Sequence, residues 1–373
     1  MRLGRLLIMA SAAGVLLVAV AAGTLCLSSG CSSVGYLAQS ASGHLGLLHG
    51  AKPVNEWLQN PATPESLKQR LALTQRMRDF AVSELAEPDN HSYRRYADIA
   101  RPAAVWNVVA APELSLTLQT WCFPIVGCVG YRGYFNQTDA EAAAQALRAE
   151  AAPGALEVSV YAVPAYSTLG YSDWLGGDPL LSSFVQWPEG ELARLIFHEL
   201  SHQVVYVAGD TMFNESFATS VERLGGERWL AAHASEPARQ QYRQFDGRRQ
   251  DLRMLLLRTR EQLAALYAGP GADAAKRERK AALMAAMLRE YAEIKAQRWA
   301  GYAGYDAYVQ NANNATLGIQ AAYTQWVPAF DALFEQQGRD FKRYYAEVKR
   351  LATLPKAERD ATLYALMPAS TGH

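Results

Sequence analysis

Cysteine is scarce, with four residues in 373, and net charge is absent, because Lys and Arg number 36 and Asp and Glu number 36. A chain without net charge sets up no overall field for a polyanion, so nucleic-acid binding is disfavoured. No internal repeat and no low-complexity tract occurs, which argues against a repeat array. No Gly-, Ser- or Pro-rich linker marks a firm boundary between domains. Hydrophobic residues make up 50% and charged residues 19%, the balance of a folded globular protein rather than a disordered one. The length allows one large core or two smaller ones.

A long apolar run stands at the N-terminus, from Leu6 to about Leu27, behind Arg2 and Arg5 and ahead of "LSSGC". A basic start, an apolar middle and a small-residue exit read as a secretory signal over residues 1–30, with lipid carried on Cys31. The alternative is an uncleaved membrane anchor, since a spanning helix needs ~20 apolar residues. Ser32 next to the cysteine, by resemblance to bacterial lipoproteins, points to the periplasmic side of the outer membrane. Cys26 falls in the signal, which leaves Cys122 and Cys128 in "WCFPIVGCVGYRGYF". Export allows these two to pair, and Pro124 and Gly127 let the chain double back between them. Two free thiols remain the other possibility, while a zinc clip lacks further Cys or His nearby.

The middle of the chain reads as mixed α and β. Residues from about Val54 to Leu85 have helical spacing. "GYRGYF" and "ALEVSVYAVPAY" are aromatic and β-branched with near alternation, which is strand patterning. "TDAEAAAQALRAEAA" between them is helix, with Thr138 and Asp139 as cap candidates. Beyond Gly226 the pattern is almost purely helical, with two long runs, about Pro237–Tyr267 and Asp273–Trp299, meeting at "GPGAD". Their Arg- and Lys-rich faces suit either anionic lipid or, more simply, solvent. The expected organisation is one unit over 31–373, mixed α/β to about 226 and helical from about 227.

"RLIFHELSHQVVYVAGDTMFNESFATSVERLGG" holds H-E-x-x-H at His198, Glu199 and His202. Pro188, Glu189 and Glu191 mark a helix start, and nothing breaks the pattern before Gly209, so both histidines are expected on one uninterrupted helix. One turn apart, they stack on a single face with Cβ atoms about 5–6 Å apart, near enough to share Zn2+ at ~2.1 Å per nitrogen. Glu199, about 100° further round, lies beside the metal rather than on it. From there it can take a proton from water and return it to a leaving amine. A catalytic zinc needs a third protein ligand. Glu215, thirteen residues past His202 on a second helix starting near Asn214, supplies one, although it can also be read as a helix-start carboxylate facing the dipole. Glu222, two turns on, can bond a ligating histidine.

"HELSHQ" followed by "FNESFATSVERLG" resembles the zinc site of gluzincin peptidases, above all the alanyl-aminopeptidase family, whose pattern is H-E-L-x-H-Q, then N-E-x-F-A, then a glutamate four residues on. The resemblance implies zinc held by His198, His202 and Glu215, Glu199 as general base and Glu222 as the acid behind a ligand. From Cys31 onward, with "NVVAAPELSL", "AYSTLGY" and "DPLL" as well, the chain is also similar to a family of bacterial lipoproteins described as putative aminopeptidases. The implied fold is α+β, mostly α, with a gluzincin-like zincin catalytic region and a helical C-terminal part. The implied partners are a peptide substrate and a membrane reached through a lipid anchor. In two places the sequence departs from the alanyl aminopeptidases. The loop between His202 and Glu215 is shorter, and the G-x-M-E-N segment that binds a substrate's amino group is missing.

"GYRGYFNQ" and "AYSTLGY" are candidates for an edge strand that pairs with substrate backbone. Gluzincins also place a Tyr or His opposite the base, and "GYAGYDAYVQNANNATL" offers Tyr302, Tyr305 and Tyr308, with Tyr308 taken as the candidate. Two other functions remain open: an endopeptidase of the same mechanism, and a lipoprotein that binds peptides or proteins without cleaving them. A non-ligating Glu199 beside the metal favours catalysis, because a structural site has no use for it.

Overall fold

The computed structural model describes residues 31–123, 127–152, 154–165, 167–170 and 173–368. The expected signal, residues 1–30, lies outside them. Contacts divide the chain into two units, Met1–His49 and Gly50–His373. The described residues of the first, 31–49, all belong to helix α1 (Cys31–Gly50). Among the described residues no helix is long and apolar enough to cross a membrane.

The second unit is α+β and mostly helical. It opens with β1 (Lys52–Pro53), α2 (Val54–Gln59) and α3 (Glu65–Ser83). The single helix expected from about 54 to 85 is therefore two. Pro61 and Pro64 lie in the break, Pro64 as the N-cap of α3, and proline offers no N–H to continue a helix. There follow β2 (Arg95–Ala97), β3 (Val105–Pro112), β4 (Trp121–Phe123), β5 (Gly127–Val129), β6 (Arg132–Tyr134), α4 (Gln137–Glu150), β7 (Leu156–Val163) and β8 (Leu180–Leu181). The cap of α4 is Asn136 rather than Thr138 or Asp139, its side chain accepting from the Thr138 N–H at 2.8 Å. β4 and β5 form a hairpin closed by a disulfide between Cys122 and Cys128.

The main sheet runs β6–β3–β7, antiparallel throughout, and β6 is one of its edges. "AYSTLGY" adds no strand among its described residues, and its Tyr166 and Tyr171 lie outside them. β3 is buried at every position except Pro112. Such continuous burial needs cover on both faces, and α4 packs on the sheet together with α10 (Asn314–Ala322). Val109 and Ala111 meet Ala315, Ile319 and Ala322 there.

The motif helices are α5 (Glu189–Ser201) and α6 (Thr211–His233), followed by α7 (Glu236–Ala268), α8 (Asp273–Gln297) and α9 (Asp306–Gln310). After α10 come α11 (Val327–Gln336), α12 (Phe341–Ala352) and α13 (Lys356–Leu366). α5 and α6 pack extensively, and the pair Gly225–Gly226 lets them do so. A Cβ on Gly225 would stand 2.7 Å from Leu85 Cδ1 and 3.1 Å from Phe197 Cδ2, and one on Gly226 would stand 2.8 Å from Arg194 Cγ. Much of the basic face of α7 and α8 is paired with acids, as in Arg249–Glu191 at 2.7 Å, Arg277–Glu113 at 2.7 Å and Lys295–Asp306 at 2.6 Å.

Candidate metal centre

α5 begins where expected, with Pro188 as N-cap and Glu189 and Glu191 facing the positive end of the helix dipole. It does not run on to Gly209. The helix ends at Ser201, and His202 is its C-cap with φ −61° and ψ −21°. Ser201 Oγ turns back to the carbonyl of His198 at 2.7 Å, and the chain then leaves through turns toward Asp210. Because His202 keeps helical dihedrals, the one-turn spacing survives, and the two imidazole centroids lie 4.9 Å apart.

α6 starts at Thr211, three residues before the expected Asn214, because Asp210 caps it by accepting from the Phe213 N–H at 3.2 Å. Asn214 is thus inside the helix, and its amide clamps the preceding loop. It donates to Val207 O at 2.8 Å and accepts from Val207 N at 2.8 Å. Asp210 is buried and pairs with Arg359 of α13 at 2.6 Å. The disulfide hairpin braces the same loop, since a Cβ on Gly127 would come within 2.5 Å of Gly209 N. Gly127 (φ +74°) and Gly209 (φ +79°) both sit where only glycine is unstrained.

These elements bring Glu215 to the histidines. Its Oε2 lies 3.2 Å from His198 Nε2 and 3.7 Å from His202 Nε2. One ligand atom from each of His198, His202 and Glu215 can be chosen so that all lie within 4.8 Å of one another, and all three residues are buried. Two imidazole nitrogens and a carboxylate oxygen are the donor set of a three-ligand zinc site with an open position, so the residues fit such an ion. Behind them, Glu222 Oε2 lies 2.9 Å from His198 Nδ1, while its other oxygen takes the Arg194 guanidinium. Arg194 also donates to Tyr242 Oη and Asp246 Oδ1, each at 3.0 Å.

Burial alone would raise both carboxyls, yet His202 and His198 hold Glu215 down to about 2, and Arg194 with His198 hold Glu222 at about 2. Burial would depress the His198 imidazole, but Glu215 and Glu222 push it well above its ordinary range. Glu199 differs. Burial raises its carboxyl against the opposing pull of His198 and His202, and no described residue hydrogen-bonds it. A raised, unengaged carboxyl next to three candidate ligands can exchange protons with a bound molecule.

Tyr308 is not brought to this group. Its hydroxyl bonds Gln320 at 3.2 Å, and its ring packs with Tyr302 and Tyr305 on the core around Tyr291 and Trp299. Tyr323, at the end of α10, instead stacks on His198 with centroids 6.3 Å apart and planes 21° apart. Burial raises the phenols of Tyr323 and of Tyr131, which follows β5, and Glu215 adds to both. Tyr206 lies edge-on to His202 at 6.4 Å. The sequence carries no spacing signal for Tyr323, which only the docking of α10 brings in, whereas Tyr131 stands inside the quoted "GYRGYF". An open cleft of about 540 Å3, lined by Arg70, Trp187, Glu189 and Gln241 among others, lies at the opposite end of α5 and includes none of the ligand candidates.

The chain matches the model of the family described as "Putative aminopeptidase" over residues 35–363, and it belongs to that family. No curated protein and no solved structure matches it.

Proposed function

We propose, taking that membership as the premise, that the protein is a zinc-dependent aminopeptidase of gluzincin type. The observation that carries the reading is the buried group of His198, His202 and Glu215 with the unbonded carboxyl of Glu199 beside it. The first three residues would hold the metal, which when bound supplies Lewis-acid chemistry to a peptide carbonyl and to water. Glu199 takes the proton of the attacking water and delivers it to the leaving amine. Glu222 orients His198 by accepting from Nδ1, so that Nε2 is left for the metal. Tyr323, with Tyr131 as the nearest alternative, donates to the oxygen that gains charge in the transition state.

The same reading places the protein in the bacterial cell envelope on the periplasmic side of the outer membrane, held by lipid on Cys31 after loss of residues 1–30. The pairing of Cys122 with Cys128 suits an oxidising compartment.

Metal analysis of the purified chain should find one zinc, lost in a His198→Ala, His202→Ala double variant. Glu199→Gln should keep the zinc and lose ~10²- to 10⁴-fold in peptide cleavage. Peptides with a free amino end should shorten one residue at a time while blocked ones survive; cleavage inside blocked peptides would replace this reading with an endopeptidase. A Glu199→Gln variant as active as the parent would overturn the mechanism. Membrane fractionation of Cys31→Ser tests the anchor, which is wrong if the variant sediments like the parent.

A further inference from the structure

Gln203 lies in the turn just past the end of α5, four residues after Glu199, its N–H bonding Leu200 O at 3.0 Å. Its side chain meets the segment 90–93. Asn90 Nδ2 donates to Gln203 Oε1 at 2.6 Å, and Gln203 Nε2 donates to Ser92 Oγ at 3.1 Å. The segment ends at Tyr93, whose N–H bonds Asp178 O at 2.7 Å and whose carbonyl accepts from Gln75 Nε2 at 3.0 Å. So held, Tyr93 has φ +62°. For a bulky side chain this is a strained outlier that persists only where the surroundings enforce it.

The strain delivers a phenol that is 1% exposed and whose hydroxyl has no hydrogen-bond partner among the described residues. Burial raises this phenol well above its ordinary range, and the charges of Glu199 and Asp178 add to the rise. Asp178 is already engaged by the N–H of Thr168 at 2.9 Å and its hydroxyl at 2.7 Å, whereas Glu199 is free. Three more buried groups hold atoms without a partner among the described residues: both oxygens of Glu87, Nη1 of Arg78 and the hydroxyl of Tyr345. Glu87 feels Arg78, and both tyrosines feel Glu87. The remaining donors of Arg78 go to carbonyls of Ser92, Pro88 and Asn90. Leaving such buried groups unpaired is costly. Buried, unpartnered donors of an arginine and two phenols, each electrostatically coupled to one buried carboxyl, are groups that water can satisfy, since one molecule takes two to four polar partners.

We propose that Tyr93 is a positioning residue for Glu199, its hydroxyl reaching the Glu199 carboxylate through water held in a buried polar site that Arg78, Glu87 and Tyr345 complete. This rests on the reading of Glu199 as the general base. The water link fixes the carboxylate rotamer, and the strained backbone of Tyr93 keeps the phenol in place.

A high-resolution crystal structure of the full chain should show ordered water within hydrogen-bonding distance of Tyr93 Oη and Glu87; a dry site overturns the proposal. Urea unfolding of Tyr93→Phe, Glu199→Gln and the double variant should be non-additive by about fivefold or more in the folding constant, the size of one hydrogen bond. Additivity overturns it equally. With a cleavable peptide, Tyr93→Phe should lower kcat about tenfold and leave KM unchanged; a change in KM alone contradicts a positioning role. A parent that cleaves no peptide refutes the peptidase reading and leaves the water site to be judged by the other two measurements.

Discussion

The Nδ1 atom of His198 lies 2.9 Å from Glu222 Oε2, across the interface of the two motif helices. With Nδ1–H donating to this carboxylate, Nε2, 3.2 Å from Glu215 Oε2, is the nitrogen left for a metal once it gives up its proton. Glu222 is itself held by Arg194, so the orientation of one candidate ligand reaches back to Asp246 and Tyr242 of α7.

Glu222→Gln should therefore weaken zinc binding about 10- to 100-fold without removing a ligand. Competition with a chromophoric chelator measures this. An affinity equal to the parent's would mean that His198 needs no such partner.

Gly226→Ala tests the close approach of α6 to α5. Overpacking against Arg194 Cγ should cost ~1–3 kcal/mol, and the gain in helix propensity returns up to ~1 kcal/mol. A net loss of about 1–2 kcal/mol in urea unfolding is expected, together with weaker metal binding, because Arg194 carries Glu222. A stabilised variant would show that the gap is not tight.

Glu87 supplies a pH signature distant from the ligands in sequence. Burial raises its carboxyl well above the ordinary value of 4.5, with Arg78 and His198 only partly opposing. For an acid raised in the folded state, the protein is unpenalised below pH 4.5 and loses stability as pH rises from there toward the folded value. Glu87→Gln should thus be more stable than the parent at neutral pH and indistinguishable from it near pH 4. Thermal unfolding across that range decides, and an advantage that does not shrink on acidification would contradict a neutral buried Glu87.

The ligand candidates were legible because their chemistry is written in short spacing. His198 and His202 are one turn apart, and Glu215 and Glu222 are two turns apart on the next helix. Local breaks were less legible. Pro61 and Pro64 divide a run whose apolar spacing continues, and the end of α5 at Ser201 depends on Ser201 and Asn214 taking backbone groups that a helix would otherwise use. Tyr323 and Tyr93 were not legible at all. One arrives because α10 docks on β3, more than a hundred residues after the motif, and the other because a strained loop bonds Gln203. Neither has a periodicity to read, whereas Tyr302, Tyr305 and Tyr308 do have a regular spacing, and it is that of a packed core.

Tyr323 and Tyr308 give the sharpest contrast between position and pattern. Tyr323 lies parallel to the His198 ring and within the field of Glu215 and Glu199, while Tyr308 bonds Gln320 and is shifted by burial alone. Burial holds the Tyr323 phenol in its neutral, donating form, which is the form that stabilises developing negative charge on a carbonyl oxygen. Phenylalanine keeps the ring stack and removes only the donor. Tyr323→Phe should therefore lower kcat about 10²- to 10³-fold with little change in KM or in zinc content, as expected for a contact made in the transition state alone. Tyr308→Phe should leave kcat within about twofold and cost at most ~1 kcal/mol of stability through the lost bond to Gln320. Steady-state kinetics on the same peptide compare the two. If Tyr323→Phe keeps full kcat, Tyr131→Phe becomes the variant to measure, since its phenol stands in the field of the same two glutamates.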